Sequence, residues 1–213
     1  MLPFPMRYLL FISIIFLSAC ASQYKSLQNA RGDISCIQKF KPVFVSALYN
    51  TQVNAIGKHL SGLLLIKTMP DSSIRIVFSN EVGFKFFDFG FAADGGFMVF
   101  AIIKQMNKKA VIGTLRKDFG LVMMRHLDTT NGFVRKEGDL TYYAFPQGKE
   151  FNYYVTRAGC SELVRVEIAS KRKTKVQVIM QNYIGGIPDT ISIMHKNFNF
   201  NIGLKRLERN VER

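Results

Sequence analysis

Residues 59–103 read HLSGLLLIKTMPDSSIRIVFSNEVGFKFFDFGFAADGGFMVFAII, and this stretch decides the architecture. Turn-forming clusters at Pro70-Asp71-Ser72-Ser73, Asn80-Glu81-Val82-Gly83 and Ala93-Asp94-Gly95-Gly96 cut it into strand-length pieces rich in β-branched and aromatic residues. The pieces do not alternate. Leu63-Leu64-Leu65-Ile66 and Phe97-Met98-Val99-Phe100-Ala101-Ile102-Ile103 are apolar on both sides, and Phe84, Phe86, Phe87, Phe89 and Phe91 divide between two faces. Strands apolar on both sides need cover on both.

Outward from this stretch the same grammar continues. Further turn signals fall at Lys136-Glu137-Gly138-Asp139, Pro146-Gln147-Gly148-Lys149, Ala158-Gly159, Lys171-Arg172-Lys173-Thr174 and Gly185-Gly186-Ile187-Pro188-Asp189. The predicted strands are 43–56, 59–68, 73–80, 83–92, 96–103, 132–136, 140–145, 150–157, 161–170, 174–184, 189–196 and 199–208, ten to twelve in all and about 11 in the sheet. Late strands do alternate: Val164, Val166 and Ile168 stand against Arg165 and Glu167. Between 104 and 125 the period changes. Val111, Ile112, Leu115, Phe119, Val122 and Met123 follow steps of three and four, with Lys108, Lys109, Arg116 and Lys117 opposite, which predicts an amphipathic helix. Gly113 and Gly120 weaken it by about 1 kcal/mol each relative to Ala, so packing must hold it. The expectation is a mainly β protein: a strongly curved antiparallel sheet, an unclosed barrel, with this helical insert on its concave face.

The amino terminus reads as an export signal over 1–19. Arg7 precedes the apolar run Tyr8–Phe16, nine residues long. A bilayer span needs roughly 20, so the run fits a cleavable signal. Leu17-Ser18-Ala19-Cys20 resembles the lipobox of bacterial lipoproteins, which implies cleavage before Cys20 and acyl chains on it; an ordinary secretory signal is the alternative. Residues 20–38 read as the lipidated end and a tether, because Ala21–Arg31 carries no apolar periodicity. The single domain is 39–213. Ala21 and Ser22 resemble neither an inner-membrane retention signal nor an acidic surface-export tag, which points to the periplasmic face of the outer membrane.

The 213-residue chain carries +14. Loss of Arg7 with the signal leaves 28 Lys and Arg against 15 acids, or 28 − 15 = +13. The cations are scattered and not gathered into a basic face with interleaved aromatics, so no nucleic acid is expected. Anionic lipid headgroups are the more natural counterpart of an exported basic protein. Cys36 and Cys160 could pair in an oxidising compartment, or stay as two separate buried thiols.

Signal, lipobox, antiparallel meander and a helix after the fifth strand together resemble the LolA/LolB superfamily of periplasmic lipoprotein carriers and receptors. His59–Lys67 through Phe89 is similar to that family's early hairpins. Pro188-Asp189-Thr190-Ile191-Ser192-Ile193 and Phe200-Asn201-Ile202-Gly203-Leu204-Lys205 are similar to its closing strands. The likeness spans most of 40–208 and carries no diagnostic motif. It implies an acyl-chain or lipoprotein ligand held between sheet and helix. The surplus apolar residues nominate Phe87, Phe89, Phe100, Leu115, Phe119 and Met123 as its lining, with basic residues near the helix for phosphate headgroups. Methionines such as Met98, Met106 and Met124 would adapt to an irregular apolar guest, or simply pack. The rival expectation is an accessory lipoprotein with a filled core, docking another envelope protein.

No enzyme, metal or cofactor is expected. His59, His126 and His195 are isolated in sequence, and neither Cys-x-x-Cys nor Gly-x-Ser-x-Gly occurs. His126 with Asp128 reads as a helix end beside a cap. Asp88 and Asp94 could form an acid/base pair, but Asp88 lies mid-strand among phenylalanines, where an internally hydrogen-bonded carboxylate is the default.

Overall fold

The computed structural model describes residues 22–55, 58–125, 127 and 130–207. The signal, Cys20, His126 and Asp128 lie outside the described residues. The elements, in chain order, are β1 (Gln28–Asn29), β2 (Ser46–Ala55), β3 (Lys58–Thr68), β4 (Ile74–Ser79), β5 (Lys85–Phe91), β6 (Phe97–Ile102), α1 (Lys109–Val122), β7 (Phe133–Glu137), β8 (Leu140–Gln147), β9 (Glu150–Arg157), β10 (Leu163–Ala169), β11 (Thr174–Ile184), β12 (Ile187–His195) and β13 (Phe200–Arg206).

The strands form one sheet in the order β1-β7-β8-β9-β10-β11-β12-β13-β2-β3-β4-β5-β6. Every neighbouring pair is antiparallel, from Gln28↔Lys136 at one edge to Phe91↔Phe97 at the other. β1 and β6 do not meet, so the curved sheet stays unclosed. Tight turns set the register. At β11–β12, Gly185 and Gly186 take φ of 61° and 76°, the two left-handed positions a two-residue hairpin turn demands.

All twelve predicted strands form. The thirteenth, β1, corrects the reading of 20–38 as a tether. Residues 22–30 cross the outer face of β7–β10 instead. Tyr24 stacks on Tyr153 with ring centroids 4.7 Å apart, its hydroxyl donates to Glu167 at 2.6 Å, and Leu27 is buried beside it. These contacts cover the outer side of β8 and β9, which explains why Tyr142, Tyr143, Ala144 and Phe145 are buried in succession. A 3₁₀ helix, Ile34–Phe40, then carries Ile37 into the core, capped by the Asp33 carboxylate accepting from the Ser35 N–H. Cys36 is bridged to Cys160, Cα to Cα 6.6 Å, across a sequence separation of 124.

The inner side chains of β3, β4 and β5, from Leu64 and Ile66 through Phe78 to Phe87 and Phe89, are almost wholly buried. The outer ones are not. Leu63, Leu65 and Val77 are half-buried, and Met98 and Phe100 on β6 are exposed. The two-sided apolar pattern therefore has one covered face and one partly wet face.

Candidate functional site

α1 is the element laid on the concave face. It is shorter than predicted, because 103–108 folds into turns in which the Met106 and Asn107 N–H groups donate to the Ile103 carbonyl. Its start is poorly finished. Lys108 offers no side-chain cap, and no acid occupies the first turn to meet the helix dipole. Leu115, Phe119 and Val122 are buried against the sheet, with Phe119 5.9 Å from Phe87 and Phe87 stacked on Phe89 at 4.5 Å. At roughly 1.5–3 kcal/mol per buried apolar side chain, this packing outweighs the helix's own deficits.

Of the six nominated lining residues, Phe87, Phe89, Leu115, Phe119 and Met123 are buried in this one core. Phe100 is corrected. It is 51% exposed on the outer face. The β5–β6 register shifts between Asp88 and Phe89, leaving Phe100 as the extra residue of a bulge. Its ring lies over Gly90, where a Cβ would come within 2.8 Å of it, and beneath the Arg75 guanidinium at 4.1 Å.

The space between helix and sheet is nearly filled. An apolar void of about 10 Å³ remains among Leu64, Phe78, Phe87, Leu115, Phe119 and Ile202, room for no more than one water. With α1 seated, no acyl chain fits.

Beside the helix lies a polar cleft of about 170 Å³, lined by Thr114, Lys117, Glu150, Lys175, His195 and Asn197. Two contacts tie α1 down here. His195 Nε2 meets the Asp118 carboxylate at 2.9 Å and 3.1 Å, with both side chains buried. Glu150 accepts from Lys117 and Lys175, both at 2.7 Å. Burial pushes the Asp118 carboxyl above its ordinary range and outweighs the pull of His195. Burial also acts on Glu150, but its two lysines prevail and hold it below the ordinary range. Farther along, the Arg125 guanidinium donates to the Ala92 carbonyl at 2.5 Å.

Sequence reading missed the Asp118–His195 pair, whose members are 77 residues apart. A signal existed: Asp118 lies three residues after Leu115 and four before Val122, so it interrupts the apolar stripe of the helix. The suggested Asp88–Asp94 pair does not form. Asp88 accepts from Arg75 Nε at 2.7 Å and Lys85 at 3.0 Å, while Asp94 accepts the Gly96 N–H. Among the described residues no group of three or more His, Cys, Asp or Glu could hold a metal ion.

This geometry has a counterpart among solved structures. A LolA superfamily protein from Nitrosomonas europaea superposes with a TM-score of 0.50 at 7% identity, covering 84% of this chain and 93% of that one. The chain has a LolA-like fold. A DUF1329 family protein from Desulfovibrio piger gives a TM-score of 0.41 at 10% identity over 84% of this chain and 91% of its own. No family model matches the sequence, and no curated protein matches it by sequence. Across such distant sequences the LolA-like likeness is one of fold.

Proposed function

We propose that this protein is a lipid-anchored, non-enzymatic component of the bacterial cell envelope, held by acyl chains on Cys20 at the periplasmic face of the outer membrane, and that it takes up acyl chains between α1 and the concave face of the sheet. One observation carries the uptake: α1, the one α-helix among the described residues, covers the apolar concave face, and the packed void lies under it. Withdrawal of α1 would free the faces of Leu64, Phe78, Phe87 and Phe89. An acyl chain in its place would recover about 25 cal/mol per Å² of apolar area, offsetting the helix contacts it displaces. The seated helix is then the empty state. The LolA-like fold and the lipobox reading of Leu17–Cys20 support the same assignment.

A second reading is an accessory lipoprotein whose core is permanently filled and whose surface docks another envelope protein. The void of about 10 Å³ and the exposure of Met98 and Phe100 favour it. Native mass spectrometry separates the two. Freshly purified protein, and delipidated protein rechallenged with a synthetic diacylated lipopeptide, should each show a bound adduct. An adduct in neither preparation sinks the uptake reading.

A further inference from the structure

In an antiparallel meander alternate turns share one end of the sheet, and here the two ends differ in chemistry. The β8–β9, β10–β11, β12–β13 and β4–β5 turns lie at one end, as does the connection from β6 into α1. The turns between strands at this end hold Lys149, Lys171, Arg172, Lys173 and Lys196 against the single acid Glu81. Lys104 and Lys108 add to them in the connection to the helix. At the opposite end the β3–β4, β5–β6, β7–β8 and β9–β10 turns hold Asp71, Asp94, Asp139 and Glu162 and no Lys or Arg, and the cations there, Lys41 before β2 and Arg125 after α1, lie in the longer connections. Large apolar side chains are exposed at both ends, Val82 at 88%, Phe84 at 57% and Phe198 at 45% at the basic one and Val43 at 62%, Val45 at 69% and Ile184 at 53% at the other, so charge is what sets the two apart.

The amino terminus meets this same end. Ser22 Oγ donates to the Lys171 carbonyl at 2.8 Å, and the Gln23 N–H donates to the Arg172 carbonyl at 2.9 Å. Gln23 also accepts from the Thr174 hydroxyl at 3.0 Å. Only two peptide units separate Cys20 from Ser22, a reach of about 7 Å at full extension. A lipid on Cys20 would therefore hold the β10–β11 turn at headgroup level.

We infer that the basic end of the sheet is a membrane-contact surface, seated on anionic phospholipid headgroups with Val82, Phe84 and Phe198 entering the interface. Cations meet phosphates, aromatic tips meet the acyl boundary, and the short link from Cys20 fixes the orientation. The polar cleft beside α1 opens among the same turns, through Asn197 and Phe198, so the helix and its ties would sit next to the bilayer. The orientation rests on the reading of Cys20 as the anchor; the affinity of the surface does not.

The chain contains no tryptophan, so one introduced indole reports alone. Residues 20–213 carrying Cys20→Ser are mixed with phosphatidylethanolamine/phosphatidylglycerol vesicles (7:3) or pure phosphatidylcholine vesicles, both with brominated acyl chains. Phe198→Trp and Phe84→Trp reporters should be quenched on the anionic vesicles only, and released by high salt. A Val43→Trp reporter at the other end should stay unquenched. Reversal of Lys171, Arg172 and Lys173 to Glu should cut partitioning about a hundredfold or more, since each cation near an anionic surface is worth about fivefold. No partitioning into the anionic vesicles, equal quenching at both ends, or indifference to the reversal would each overturn the inference. The intact mass of the membrane-extracted native protein judges the anchor separately. An unlipidated Cys20 alongside anionic partitioning would sink the anchor and leave the surface standing.

Discussion

Asp118→Ala tests how α1 is held. The mutation strips His195 Nε2 of its partner in a place where the imidazole side chain is only 5% exposed. Stranding a buried neutral donor costs about 1–3 kcal/mol, and breaking a buried charged pair about 3–5 kcal/mol. A loss of about 2–4 kcal/mol is expected in urea unfolding followed by far-ultraviolet circular dichroism. Asp118→Asn keeps a hydrogen-bonding group of the same size and should lose about 1 kcal/mol or less at pH 7. The sign with pH follows from burial. Because burial raises the folded-state pKa of Asp118, its titration contributes stability that is full below its ordinary value of 3.8 and lost as pH rises through the folded value. Asparagine does not ionise, so the Asn variant should gain on the parent protein across that window. If Asp118→Ala costs under about 0.5 kcal/mol, and hydrogen exchange over 109–122 is unchanged, the pair does not hold the helix and the reasoning fails.

Three further outcomes are expected. Gly113→Ala meets open space around its new Cβ, so it should raise stability by about 0.5–1 kcal/mol in the same urea assay and slow any process that needs α1 to unwind. Burial pushes the Asp88 carboxyl up, yet Arg75 and Lys85 hold it below the ordinary range; its stabilisation is present above 3.8 and lost as pH falls through the folded value, so Arg75→Met should move the acid-unfolding midpoint to higher pH in a circular-dichroism titration. The Tyr154 hydroxyl is buried with no hydrogen-bond partner and its pKa is raised by that burial, so Tyr154→Phe should be neutral or stabilising by up to about 1 kcal/mol in thermal unfolding, an outcome opposite to that of most core substitutions.

The sheet was legible because turn chemistry and hydrophobic period are local. Gly185-Gly186 and Asp94-Gly95-Gly96 mark hairpins whatever surrounds them, and the twelve strands they delimit all form. β1 was not legible. Its two residues pair with β7 because Tyr24 docks on Tyr153, a contact 129 residues away that leaves no periodic trace in a polar segment. The tether reading failed for the same reason. Phe100 was misplaced because a bulge is a property of the pair of strands, here β5 with β6, and one extra residue shifts a side chain to the other face. The disulfide alternative was settled by the 3₁₀ helix, which brings Cys36 to the β9–β10 turn. The Asp118–His195 pair required topology: only the sheet order brings His195, at the end of β12, beside α1. The burial of Phe87, Phe89, Leu115 and Phe119 was readable because a surplus of phenylalanine in short strands must go inward, whereas the near absence of a void depends on how well they interlock.

The central claim is that α1 leaves the concave face when an acyl chain enters. Hydrogen–deuterium exchange across residues 109–122, measured with and without a saturating diacylated lipopeptide, reads this directly. The account predicts that ligand speeds amide exchange in α1 while β3, β4 and β5 stay protected or gain protection. A bound ligand that leaves α1 exchange unchanged, or slows it, would contradict the account.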